Sequence, residues 1–533
     1  MALAFSTSRS ATIAVAFLTL LVATSADAQE ASQPPPAASS APPPPAAAPP
    51  SGQKAVKGGA DHAGSPQQAS PAIAGQNRLP PNSTTKQTLT LPGRTLAFKA
   101  TAGSIRIFDA KSEPEADIAF TSYQLDGADP LTRLVTFIFN GGPGASFAWL
   151  QFGNLGPWRV AMSGDALSPS ASPDPQPNAD TWLDFTDLVF IDPVGTGYSR
   201  FVSTSDDVRK RLYSVDGDIS ALSVVIRRWL EKSNRLVSPK FVVGESYGGF
   251  RGPRVVRNLE IDQGVGVKGL ILISPVFDFR EFSGSSLLQY VASLPTMAAV
   301  ARQTKGPVSR ADMTDVEKYA SSDFLLDLVK GETDTAATNR IADKVAALTG
   351  IDREVSRRLA GRFDVLEFRR EFDRKNGKVT GRYDASILGN DPNPDSSFYR
   401  FGDPSLEPLI APLTSAAVDL YTRKLNWRPT GSYHLLNNAV AKAWNFGQGP
   451  SPANSIEQLR QILALDPKLQ LLVAHGLFDL ATPYYGSKMV LDQLPAYATP
   501  NRVRLVVYPG GHMFYSRDPS RQALRTEAEA MIK

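Results

Sequence analysis

Short, mostly apolar runs recur along the chain at Leu134 to Phe139, Leu188 to Ile191, Phe241 to Val243, Leu270 to Ile273 and Leu471 to Ala474. They lead into Asn140, Asp192, Gly244, Ser274 and His475 respectively. Runs of this length without alternation predict strands of a parallel sheet buried on both faces, with functional loops at their ends. Between them, Val215 to Glu231 has helical spacing, with Asp216 and Asp218 near its start and Arg227, Arg228 and Lys232 toward its end. That charge order complements the helix dipole. Between Gln87 and Tyr123, shorter β-type runs such as Thr95 to Lys99 and Ile105 to Phe108 precede the turn signal Asp126-Gly127, which predicts an antiparallel edge. Strands that alternate with helices in this way predict an α/β architecture.

From about Phe282 to Gly431 the strand signal disappears, and charged helical stretches take over at Asp312 to Lys330, Thr335 to Leu348 and Asp352 to Arg374. Because the sheet pattern resumes afterwards, residues 282–431 are expected to form a helical cap inserted over the carboxyl edge of the sheet. The core is then divided into 77–281 and 432–533.

The amino-terminal residues follow neither pattern. Arg9, an apolar run from Ala11 to Ala23 and Ala26-Asp27-Ala28 before Gln29 read as a secretory signal peptide over 1–28. The run is shorter than the roughly 20 residues a membrane span needs, so export to the periplasm or the exterior is expected, without stable membrane insertion. Residues 29–76 are rich in Pro, Ala, Ser and Gly, and are expected to form a disordered tether.

Composition narrows the chemistry. The chain of 533 residues is 42% hydrophobic and 20% charged, enough apolar content for a folded core. The net charge of +4 is spread thinly, so nucleic acid is not an expected partner. The absence of cysteine excludes thiolate metal sites, disulfides and cysteine nucleophiles. The four histidines are His62, which falls in the tether, His434, His475 and His512.

Phe241-Val242-Val243-Gly244-Glu245-Ser246-Tyr247-Gly248-Gly249 is a strand followed by G-x-S-x-G. The glycines permit a sharp strand-to-helix turn that exposes the hydroxyl, making Ser246 the candidate nucleophile. In an α/β sheet of this type the acid and then the histidine follow the serine in chain order. Asp479 lies in the loop after the strand Leu471 to Ala474, and no other carboxylate occurs between Asp466 and Asp492. His512 is the histidine beyond Asp479, in a glycine-rich loop after Val506-Val507-Tyr508. The glycine-rich Asn140-Gly141-Gly142-Pro143-Gly144 lacks the Gly-Lys-Ser/Thr ending of a phosphate loop. It suits an oxyanion hole instead, with the amide of Tyr247 as the second donor.

The segments FNGGPGASFAWL, LGPWRV, LDFTDLVFIDPVGTGYSR, FVVGESYGGFR, HGLFDLATPYYG and PGGHMFY, spread from Phe139 to Tyr515, together resemble the serine carboxypeptidase family, most closely its bacterial branch. The resemblance implies an α/β-hydrolase fold: a mostly parallel sheet with antiparallel N-terminal strands and an inserted helical cap. It implies Ser246, Asp479 and His512 as the triad, and the amides of Gly142 and Tyr247 as the oxyanion hole. Asn140 and Glu245 take the positions that hold the terminal carboxylate of a peptide. The implied substrates are peptides with a free C-terminus, cleaved through an acyl-enzyme on Ser246 without a cofactor or metal. An esterase or acyltransferase using the same triad is the alternative, and an intact triad argues against a non-catalytic binding protein.

The sequence departs from the family at Asn154, where a second glutamate usually pairs with the one before the serine, and at Ala145, Phe139 and the missing cysteines. An amide donates to a carboxylate at any pH. Asn154 is therefore expected to bind the substrate carboxylate with Asn140 and to make that binding nearly independent of pH.

Overall fold

The computed structural model describes residues 78–282, 286–447 and 453–533. The predicted signal peptide, 1–28, and tether, 29–76, lie outside the described residues. Among the described residues the main sheet has ten strands. Nine of them form its path: β1 (Ser83–Leu91), β2 (Arg94–Phe108), β3 (Pro114–Leu125), β4 (Val135–Phe139), β5 (Asp187–Ile191), β6 (Lys240–Glu245), β7 (Gly269–Ile273), β8 (Gln470–Gly476) and β9 (Val503–Tyr508). The spatial order is β1-β2-β3-β5-β4-β6-β7-β8-β9, with the short strand Arg200–Phe201 pairing β3 off this path.

The connections from β1 through β3 to β5 are antiparallel. Those from β5 through β9 are parallel. The two β-type runs expected at Thr95 to Lys99 and Ile105 to Phe108 are one continuous strand. The residues between them pair on both sides, Ala102 with Ser83 of β1 and Gly103 with Phe120 of β3. Small residues without apolar periodicity are held in the ladder by backbone bonds that local pattern does not reveal.

Successive residues of the parallel strands face opposite ways, so the sheet has a core on each side. Ile138, Val243, Ile271 and Leu472 pack on one face with Leu524 and Ile532 of α7 (Asp518–Ile532). Phe137, Val242, Leu272 and Val473 pack on the other with Leu222 and Trp229 of α1 (Val215–Lys232) and Val255 of α2 (Tyr247–Ile261). The α1 helix starts where the Ser214 hydroxyl accepts the Gly217 amide at 3.2 Å.

Residues 274–469 are inserted between the adjacent parallel strands β7 and β8. They do not form one helical block. Val291 and Leu294 of α3 (Leu288–Gln303) and Ile341 of α4 (Thr335–Thr349) share a separate core with Leu477, Phe478 and Leu480, just after β8, and Tyr484 of α6 (Tyr484–Asp492). This part therefore sits on loops at the carboxyl end of the sheet. By contrast, Leu409 and Leu413 of α5 (Glu407–Asp419), with Tyr421 and Trp427, join the core of the β-sheet face that α7 covers. Between these two parts, Lys378–Thr380 and Leu388–Asn390 pair as a short antiparallel ladder, where helical stretches alone were expected.

Candidate active site

Parallel strands bring their carboxyl ends to one edge, and the residues that carry chemistry leave from that edge. Asn140 follows β4, Ser246 follows β6, Asp479 follows β8 and His512 follows β9.

At the end of β6 the chain reverses into α2 through Ser246, which adopts φ +61° and ψ −122°. A non-glycine residue at positive φ is strained and persists only where its surroundings hold it. The Ser246 amide donates to the Ile273 carbonyl at 2.9 Å, and its carbonyl accepts from Gly249 at 2.8 Å. The flanking glycines are required by space. A Cβ on Gly244 would lie 2.1 Å from the carbonyl oxygen of Gly248, and one on Gly248 would lie 2.8 Å from that of Phe139. The hydroxyl-bearing residue is left partly exposed, while its neighbours are buried.

His512 and Asp479 are both buried, and His512 Nδ1 lies 2.8 Å from Asp479 Oδ2. The amides of Ala481 and Thr482 donate to Asp479 Oδ1 at 2.8 and 3.0 Å, and the Thr482 hydroxyl donates to Oδ2 at 2.7 Å. These bonds fix the carboxylate plane so that one oxygen faces the imidazole. Burial works against the imidazolium, but the charge and hydrogen bond of Asp479 outweigh it and hold His512 above the ordinary histidine value. This is the electrostatic arrangement a general base next to a serine requires.

Ser246 and His512 line one cavity of about 70 Å³, together with Asn140, Gly141, Gly142, Trp149, Glu245 and Tyr383. A larger groove of about 960 Å³ passes Asp278, Arg460, Tyr485 and Asp492 and contains none of these residues. Gly141 is pressed against the start of α2, since a Cβ there would stand 2.5 Å from the Tyr247 amide nitrogen. Tyr247 is the first residue of α2, so its amide has no acceptor within the helix. Gly142 follows at φ +100°, a conformation that favours glycine. Behind this loop, Arg251 pairs with Asp218 of α1 at 2.5 Å, and its guanidinium also donates to the Asn140 carbonyl. Both side chains are almost wholly buried.

Glu245 is buried beside the nucleophile. Asn140 Nδ2 donates to its Oε2, and the Tyr515 hydroxyl lies 2.9 and 3.0 Å from its two oxygens. Burial pushes its carboxyl up to about 7, against the opposing pull of His512, Tyr515 and Asn140. The structure does not bring Asn154 to the cavity lining. It sits in a π-helical turn, Gln151–Leu155, wholly buried, and neither atom of its amide has a hydrogen-bond partner.

The remaining histidines of the folded part stand apart. His475 is buried, with Nε2 2.8 Å from the Ser487 hydroxyl, and burial lowers it to about 4. His434 is exposed and bridges Gly197 through its backbone. Among the described residues no cluster of histidine and carboxylate side chains has the geometry of a metal site.

Two residues of the site escaped the sequence reading. Tyr515 closes the segment PGGHMFY, but its role depends on reaching Glu245 from the turn Phe514–Ser516, beyond a different strand. Tyr383 comes from the insertion, where no motif marks it. Its ring meets the His512 ring edge-on at 5.2 Å, and its carbonyl accepts the His512 amide.

The family model described as serine carboxypeptidase matches residues 94–319. Serine carboxypeptidase-like 33 of Arabidopsis thaliana is 27% identical over 195 residues, 35% of this chain and 38% of that protein. The pheromone-processing carboxypeptidase KEX1 of Yarrowia lipolytica is 21% identical over 358 residues, 67% of this chain and 51% of that protein. The chain thus spans about half the length or less of these two relatives. The crystal structure of KEX1Δp, a prohormone-processing carboxypeptidase from Saccharomyces cerevisiae, superimposes with a TM-score of 0.52 at 15% identity, covering 81% of this chain and 91% of that one. That likeness shows a shared α/β-hydrolase fold. The matched segment 94–319 carries both the NGGPG loop and the GESYG elbow, and over that segment the chain is similar to the serine carboxypeptidase family.

Proposed function

We propose that this protein is an exported serine carboxypeptidase that releases the C-terminal amino acid from peptides. In this reading Ser246 Oγ attacks the last peptide carbonyl while His512 Nε2 takes its proton. Asp479 holds the imidazole with Nδ1–H toward the carboxylate and stabilises the imidazolium. The negative charge that develops on the carbonyl oxygen is met by the amides of Gly142 and Tyr247. His512 returns the proton to the leaving amine and the C-terminal amino acid departs. Water, deprotonated by the same histidine, then hydrolyses the acyl-enzyme.

The observation that carries the reading is the cavity itself. Asn140 and Glu245 share it with Ser246 and His512. An amide and a carboxylic acid kept protonated by burial donate hydrogen bonds to a terminal carboxylate, whereas an ionised glutamate repels one. Export is supported by the apolar run Ala11 to Ala23 and the Ala26-Asp27-Ala28 that follows it. No helix among the described residues is long and apolar enough to cross a membrane.

The test is a panel of N-blocked dipeptides with free and amidated C-termini, and the matching esters. Release of the C-terminal amino acid from the free acids, with the amides cleaved far more slowly, supports the reading. Ester hydrolysis without any peptide cleavage refutes it in favour of an esterase.

A further inference from the structure

Glu245 is about 2% exposed, and an uncompensated carboxyl at that depth is costly in either protonation state unless its oxygens are bonded. The partner that meets both oxygens is Tyr515, from the short turn Phe514–Ser516 that follows His512. Its ring is seated by Gly153: a Cβ there would lie 2.5 Å from a Tyr515 ring carbon. The ring thus packs against the residue next to Asn154, while the Asn154 amide is left without a partner.

We propose that Tyr515 is the positioning residue of Glu245, fixing its carboxyl toward the cavity and setting the pH at which it gives up its proton, the role the family resemblance gives to the second glutamate that Asn154 replaces. A phenol has one hydrogen to donate and lone pairs to accept with. It therefore donates to Glu245 when the group is ionised and accepts from it when the group is protonated. Asn140 donates only to Oε2, leaving Oε1 and Tyr515 to accommodate the proton. The charged and titratable groups around Glu245 are His512 after β9, Asp479 after β8, Tyr515, and Tyr383 from the insertion. Of these, Tyr515 is in hydrogen-bond contact with the carboxyl. The inference rests on the carboxypeptidase reading only for its consequence in substrate binding.

A donor to a carboxylate stabilises its charged form, so removing it raises the pH of deprotonation. Tyr515→Phe keeps the ring against Gly153 and deletes only the hydroxyl. In protein labelled with ¹³Cδ-glutamate, in a Ser246→Ala background, the Glu245 resonance is assigned by its loss in Glu245→Gln. Its midpoint is expected to rise by about one pH unit in Tyr515→Phe, as loss of one charge-assisted hydrogen bond implies. Asn154→Ala is expected to leave it in place. An unchanged midpoint in Tyr515→Phe, or an equal shift in Asn154→Ala, overturns the proposal.

With Ser246 restored, the kcat/KM preference for a free-acid peptide over its amide should persist to correspondingly higher pH in Tyr515→Phe. Equal losses on both substrates without a pH shift would mean a merely structural role. Should the wild type cleave no peptide at all, the carboxypeptidase reading fails while the carbon resonance still decides the Tyr515 assignment.

Discussion

Asp479→Asn tests the site through a single atom whose placement the surrounding bonds dictate. In the wild type, Oδ1 accepts two backbone amides, Ala481 and Thr482, while Oδ2 faces His512. An asparagine keeps its carbonyl oxygen on those amides, because its NH₂ group cannot accept from them. The NH₂ is thereby turned toward His512 Nδ1. The Thr482 hydroxyl retains an acceptor in the Ser274 carbonyl at 2.9 Å, so nothing rotates the amide back. With a donor facing it, Nδ1 becomes the acceptor and the ring proton moves to Nε2, the nitrogen that should deprotonate Ser246. A histidine in the wrong tautomer lowers kcat roughly 10⁴-fold, equivalent to about 5 kcal/mol of transition-state stabilisation. Loss of the carboxylate charge also leaves burial unopposed, so the imidazole pKa should fall. Substrate binding should change little, because Asp479 does not line the cavity. Single-turnover kinetics on an activated ester give the rate and KM, and ¹⁵N spectra of the labelled imidazole give the tautomer. A kcat within tenfold of wild type, or a ring that keeps its proton on Nδ1, refutes the assignment.

Ser246→Ala should abolish turnover and labelling by a serine-directed phosphonate while thermal stability changes by less than about 1 kcal/mol; mass spectrometry finding the label on another serine counts against Ser246. Gly141→Ala forces the loop away from the Tyr247 amide, and loss of an aligned oxyanion donor should lower kcat about 10²- to 10³-fold with KM nearly constant; wild-type kcat would place the oxyanion elsewhere. His475 is held neutral, its folded value of about 4 lying below the 6.5 of an unfolded chain. The unfolded state thus binds more protons between these values, so stability present above pH 6.5 is lost as pH falls toward 4, by about 3 kcal/mol. Denaturation midpoints of His475→Asn should flatten in that window, and an unaltered slope would show that another group is responsible.

The parallel strands were legible because residues buried on both faces leave continuous apolar runs, and the placement of Ser246, Asp479 and His512 at one edge was legible because loops at the carboxyl edge follow those runs directly. The continuous β2 was not, since Ala100 to Ser104 take their strand conformation from two partners rather than from their own side chains. The division of the insertion was equally hidden. Helical periodicity shows that α4 and α5 each have an apolar face, but not that one covers loops and the other covers the sheet. Position 154 shows the same boundary at the scale of one residue. Its place in a motif suggested a contact with substrate, whereas it stands buried in a π-helical turn outside the cavity lining, and the ring of a tyrosine remote in sequence packs against its neighbour Gly153.

The stretch 381–385 joins the insertion to the backbone around Asp479 and to that of His512. The Arg382 carbonyl accepts the Leu480 amide at 3.0 Å, the Ala385 amide donates to Phe478 at 2.9 Å, and the Tyr383 carbonyl accepts the His512 amide. Asp479 lies between Phe478 and Leu480, so the backbone on either side of the acid and the backbone of the base are stitched to the same five residues. A roof attached in this way cannot swing open as a hinged door without dragging the acid and the base out of register. Exchange of the roof between relatives is constrained for the same reason. A chimera that imports a new insertion for altered side-chain preference must retain this seam, or it will lose turnover before it gains selectivity.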